Sequence, residues 1–139
     1  MHPPGQQLLV VDHDPVRRRE IERLLIEEGF AVTAAGEGLA AIRAAGQRCF
    51  ALVVAALGLP GWLDGPTTAQ QLRARQPWLK ALYTADPAER RHGPVRDRDV
   101  VPWPCRHGEF LGCVFEMLQR DRFAGAAAPG PGSAVFRRR

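Results

Sequence analysis

Short apolar runs alternate with stretches of helical period along most of this 139-residue chain. Leu8-Leu9-Val10-Val11 is apolar without interruption and stops at Asp12, the pattern of a strand covered on both faces. It predicts a first strand at Gln7–Val11, in the centre of a sheet. Asp14 before Pro15 supplies an N-cap and a good first helical residue. The helix that follows is expected to turn Val16, Ile21, Leu24 and Leu25 inward, with Arg17, Arg18, Glu22 and Arg23 elsewhere, and Gly29 closes it in a left-handed cap. Residues 30–35 read as a second strand. Gly38–Ala45 reads as a short helix with Leu39 and Ile42 inward, stopped by Gly46. The run Phe50-Ala51-Leu52-Val53-Val54-Ala55-Ala56 is a third buried strand, and it enters the Gly/Pro turn Leu57-Gly58-Leu59-Pro60-Gly61. A weakly amphipathic helix over 67–75, with Ala69 and Leu72 inward, precedes a fourth strand over 80–84 and a fifth at Val100-Val101. The last helix, 109–119, shows the broadest apolar face: Phe110, Leu111, Val114, Phe115, Met117 and Leu118.

Strands alternating with helices predict a parallel sheet covered on both sides, and right-handed crossovers make it doubly wound. One domain suffices at this length. Hydrophobic residues are 45% and charged residues 24% of the chain, as in ordinary globular proteins. The run needed to span a bilayer is about 20 apolar residues, and nothing here approaches it; the first residues also lack the charged start and apolar centre of a signal peptide. Cys49, Cys105 and Cys113 are odd in number and unpaired in spacing, which fits a reducing, cytoplasmic setting. The net charge of +4 gathers in Arg90, Arg91, Arg96, Arg98 and the Arg137-Arg138-Arg139 end. Without a helix-turn-helix, zinc-finger or RNA-binding pattern, this charge reads as solvated surface, and nucleic acid is not an expected partner. No membrane partner is expected either.

In an open α/β sheet, function gathers at the carboxyl ends of the strands, where the strand order reverses. Asp12 and His13, Ala56, Thr84 and Trp103 are expected there. No G-x-G-x-x-G or P-loop follows the first strand. Cys105, His107 and Cys113 lack zinc-ligand spacing, so no metal site is assigned.

Val10-Val11-Asp12, the Leu59-Pro60-Gly61 turn with Asp64-Gly65 after it, Thr84-Ala85 and Pro104 together resemble the bacterial response-regulator receiver domains of two-component signalling. The resemblance runs from Leu8 to about Gln119. It implies a flavodoxin-like (βα)5 three-layer fold with strand order 2-1-3-4-5. It divides the chain into an extension (1–6), a receiver-like domain (7–121) and an Ala/Gly/Pro/Arg tail (122–139) expected to be disordered. In the family, two adjacent acids after strand one and an acceptor Asp four residues before a Pro hold Mg²⁺. A Thr or Ser bonds the phosphoryl oxygens, and a Lys before a cis Pro pairs with the phosphoryl charge. Carried over by position, the first acid is Asp12 and the Thr is Thr84. The second acid's place holds His13, the acceptor's place Ala56, and the Lys place Trp103, ahead of Pro104.

These departures imply a pseudo-receiver with no cofactor and weak or lost Mg²⁺ binding, since Mg²⁺ wants several oxygen ligands. The expected role is a single-domain, non-enzymatic interaction module of phosphorelay signalling that works without phosphorylation. Its expected partner is a histidine kinase, another regulator or a second copy. The alternatives are phosphorylation at Asp12, with Asp64 a poorer acceptor, and a small-ligand binder on the same fold. Asp12 is expected to pair with His13, Trp103 to cover the vacated pocket, and Trp103-Pro104 to be cis. Residues 87–99 carry no amphipathic pattern, so the helix between strands four and five is expected to be short or missing. The family's aromatic switch position aligns with Val100. The altered partner face is assigned to Trp62, Leu63, Val100, Phe110 and Val114.

Overall fold

The computed structural model describes residues 6–87 and 95–120. The expectations for 1–5, the stretch 88–94 and the tail from 121 onward lie outside the described residues. Five strands form one parallel sheet in the order β2-β1-β3-β4-β5. They are β1 (Gln7–Val11), β2 (Ala31–Ala35), β3 (Leu52–Ala56), β4 (Lys80–Ala85) and β5 (Val100–Pro102). Helices α1 (Pro15–Glu27), α2 (Gly38–Ala45), α3 (Gly65–Arg75) and α4 (His107–Gln119) cover the two faces. The doubly wound, flavodoxin-like order is the expected one. Among the described residues, the connection from β4 to β5 holds one 3₁₀ turn, Asp97–Asp99.

Side chains of a strand alternate between faces, and this splits the core in two. Leu8 and Val10 of β1 join Leu52, Val54, Leu82 and Val101 under α1 and α4. Leu9 and Val11 join Val53, Ala55, Ala81 and Tyr83 under α2 and α3. Because both faces are covered, β3 is buried at every position, which explains its unbroken apolar run. Pro102 sits on the edge strand, where its missing N–H costs no ladder bond to a further strand.

Local signals act as expected at α1. The Asp14 carboxylate accepts from the Val16 amide at 3.0 Å, and Gly29 adopts φ 98° past the helix end. Two inward assignments are corrected. Val16 is 71% exposed, because five helical steps from Ile21 rotate it about 140° off the buried stripe of Ile21, Leu24 and Leu25. In α2 the buried residues are Gly38, Ala41 and Ala45, and Leu39 is exposed. Small residues line this contact because α2 and α3 pack closely: a Cβ on Gly38 would stand 2.4 Å from the Thr68 hydroxyl oxygen.

Gln76 is a buried polar residue whose side chain fastens the start of β3. Its Oε1 accepts from the Phe50 amide, and its Nε2 donates to the carbonyls of Ala45 and Arg48. This accounts for polar chemistry that helical periodicity alone leaves unexplained.

The turn after β3 is held just as tightly. The Gly65 amide donates to the Leu57 carbonyl at 3.0 Å, and a Cβ on Gly65 would stand 2.3 Å from the Ala56 carbonyl oxygen. Backbone, not a flexible side chain, blocks that space. Gly65→Ala is therefore expected to destabilise the fold by about 1–3 kcal/mol as an overpacking change, read as a lower urea midpoint with an unchanged slope.

Candidate receiver pocket

A cleft of about 420 Å³ opens at the carboxyl ends of β1, β3 and β4, beside the residue that follows β5. His13, Arg17, Ala56, Thr84 and Trp103 all line it. Parallel pairing sets this gathering. Ala56 stands opposite Thr84 in the β3–β4 register. The Leu57 amide donates to the Thr84 carbonyl at 2.8 Å, and the Trp103 amide to the Ala85 carbonyl at 2.9 Å. The Trp103-Pro104 bond is cis, as expected.

Asp12 follows β1 and is 1% exposed. Its expected partner, His13, is displaced: the imidazole Nδ1 lies 3.9 Å from Oδ1, beyond hydrogen-bond distance, and the ring is half-exposed. The partner is Arg17. Its Nε donates to Oδ2 at 2.5 Å and its Nη2 to Oδ1 at 2.8 Å, a two-pronged ion pair. Oδ1 also accepts from the Asp14 amide at 2.9 Å, and Arg18 Nη1 donates to the Asp12 carbonyl at 2.8 Å.

Sequence reasoning placed Arg17 only among the polar positions of α1. The missed signal was positional. Arg17 is the third residue of α1, and helical side chains lean toward the N-terminus. A long side chain there reaches back over the end of β1.

Trp103 is buried against Phe110, ring centroids 5.4 Å apart and planes at 90°. It lines one wall of the cleft, which stays open, and belongs to the α1/α4 core. Asp64, the poorer acceptor candidate, caps α3 by accepting from the Thr67 amide at 2.9 Å.

The partner-face assignment needs correction. Phe110 and Val114 are fully buried, since with Met117 they form the i, i+4, i+7 seam of α4 against the sheet. Leu63 is buried beside Gly38. Val100 is half-buried. Only Trp62, 81% exposed, stands free to meet another surface among those five.

The donor set can be tested against Mg²⁺. Both Asp12 oxygens already accept hydrogen bonds, position 13 offers an imidazole and position 56 a methyl group. These residues do not fit an ion that takes octahedral oxygen ligands. Among the described residues no three His, Cys, Asp or Glu side chains gather as a metal site. Burial, then nearby Glu109 at Cys105 and Glu116 at Cys113, pushes both thiols up, away from the thiolate a metal needs.

The family model of the response regulator receiver domain matches residues 8–90, more than half of the chain. The chain belongs to this family. The receiver is 37% identical over 122 residues to the transcriptional activator protein PfeR of Pseudomonas aeruginosa, covering 86% of this chain and 40% of that one. It thus spans well under half the length of that curated relative. Among solved structures, a response regulator receiver protein from Sinorhizobium medicae superposes with a TM-score of 0.70 at 21% identity, over 82% of this chain and 94% of that chain. The chemotaxis protein CheY4 of Vibrio cholerae gives 0.69 at 15% identity, over 81% and 98%. These structural likenesses establish the shared fold. Among the described residues no helix is long and apolar enough to cross a membrane.

Proposed function

We propose that this receiver signals without being phosphorylated, as a non-enzymatic, cytoplasmic protein-interaction module of a two-component system. The observation that carries the reading is Ala56. It lies at the end of β3, on the cleft wall, four residues before Pro60, where the family places its phospho-acceptor. A methyl group cannot attack a phosphoryl donor. Phosphoryl transfer rests on positioning and charge stabilisation, and Trp103 stands where the family's lysine would supply charge.

The alternative acceptor, Asp12, is opposed by its geometry. Its carboxylate is buried and both oxygens are held by Arg17, so attack on a phosphorus would first have to break that pair. The partner in this reading is a protein: a histidine kinase, another regulator or a second copy. Trp62 and Val16, the two most exposed large apolar side chains among the described residues, both follow the carboxyl ends of strands and support contact at that edge. Transcriptional activation, the activity in PfeR's name, comes to this chain only as a setting in which such contacts would act.

Incubation with acetyl phosphate and Mg²⁺, followed by intact mass spectrometry, is expected to leave the mass unchanged. A labile gain of one phosphoryl group would overturn the proposal.

A further inference from the structure

Loss of the acceptor and loss of the metal seat are separable features of this pocket, and the second rests on Arg17. Three donors already point at the Asp12 carboxylate: Arg17 Nε at 2.5 Å, Arg17 Nη2 at 2.8 Å and the Asp14 amide at 2.9 Å. A carboxylate offers about four lone-pair sites, so little of its capacity remains. The guanidinium also lies on the cleft side, where it lines the cavity with Ala56 and Thr84. A divalent ion bound to Asp12 from the cleft would meet this positive charge at close range.

We infer that Arg17 is a built-in cation of the receiver pocket: its guanidinium takes the place and the neutralising role of a divalent ion against Asp12, and it excludes Mg²⁺ independently of Ala56. First, a fork of two parallel N–H donors matches a carboxylate better than a point charge does. Second, Arg17 is tethered five residues from Asp12, so its pairing is intramolecular and carries none of the association cost that a free ion must meet. Third, displacing it would break a pair whose acid is buried, which is strongly unfavourable unless the ion replaces every lost bond.

The consequence is specific. Restoring the two missing acids, by His13→Asp and Ala56→Asp, does not restore metal binding while Arg17 remains. This goes beyond the proposed function and rests on the pocket being that of a receiver.

The test is Mn²⁺ binding, read by loss of the free-ion electron paramagnetic resonance signal, with Mg²⁺ as competitor. The His13→Asp/Ala56→Asp protein is expected to bind at least about tenfold more weakly than the same protein also carrying Arg17→Met, a difference of about 1.4 kcal/mol. Equal affinities would overturn the inference. A second measurement needs no variant to fold. In the unaltered chain, the Arg17 Nε–H resonance is expected to stay in its carboxylate-bound position through a millimolar Mg²⁺ titration. Its movement to the position of a free arginine would equally overturn it. Acetyl phosphate labelling of the unaltered chain at a residue other than Asp12 would sink the phosphorylation-independent reading and leave this one standing; labelling on Asp12 itself would overturn both; equal Mn²⁺ affinities would overturn this inference alone.

Discussion

Arg17→Met is expected to destabilise the fold by about 3–5 kcal/mol, the cost of leaving a buried ionic partner uncompensated. The size of the effect follows from asymmetry. Asp12 is almost wholly buried, while Arg17 is about a quarter exposed. Removing the guanidinium therefore strands a desolvated carboxylate, whose remaining side-chain bond is the Asp14 amide. Arg17 carries interactions beyond the Asp12 pair, so the single substitution alone does not isolate the pair. A double-mutant cycle with Asp12→Asn does. The Asn variant should lose less than the Met variant, and the double variant should recover part of the loss. Urea unfolding of the four proteins checks this. Additive losses would mean that the pair contributes no coupling and that Arg17 acts elsewhere.

Trp103→Ala is expected to cost about 3–5 kcal/mol, the range for a large aromatic removed from a core. Trp103 sits at the junction of site and core, on the cleft on one side and edge-on to the fully buried Phe110 on the other. Its aromatic pair adds about 0.5–1.5 kcal/mol beyond area burial. Trp103→Phe should keep most of the packing and lose distinctly less. Trp103→Lys restores the family's residue type at this position, yet it places an ammonium against Phe110 and in a cleft that Arg17 also lines, and is expected to be at least as costly as Ala. Thermal and urea unfolding of the three variants order them. A Lys variant as stable as the parent would show that the indole contributes nothing beyond filling space.

The sheet was legible in the chain because a strand buried on both faces leaves an unbroken apolar run, as Leu8–Val11 and Leu52–Ala56 do. Caps were legible because Asp14-Pro15 and Gly29 act through local stereochemistry alone. Helix faces were less so. Leu39 looks like a core residue by hydropathy, but close packing of α2 on α3 selects Gly38, Ala41 and Ala45 instead. Phe110 and Val114 looked available to a partner only because a sequence does not tell which apolar stripe the sheet already covers. At the cleft, His13, Ala56, Thr84 and Trp103 gather as their strand-end positions require, with Asp12 buried and held by Arg17. What stayed hidden was a contact between side chains. Arg17 reads as one more surface arginine until α1 is placed over the end of β1. Then the backward lean of helical side chains sets it on Asp12 in preference to the nearer His13.

On the function proposed, the crevice holds neither a phospho-accepting oxygen nor a seat for the ion that would assist one. Fluorine NMR with beryllofluoride and Mg²⁺ tests both at once, because in a receiver pocket this phosphoryl mimic would bond to an acceptor carboxylate oxygen and be held there by the metal. The unaltered chain should show free beryllofluoride species alone, with no protein-bound fluoride signals at saturating Mg²⁺. Slowly exchanging bound signals that vanish on Asp12→Asn would contradict the account.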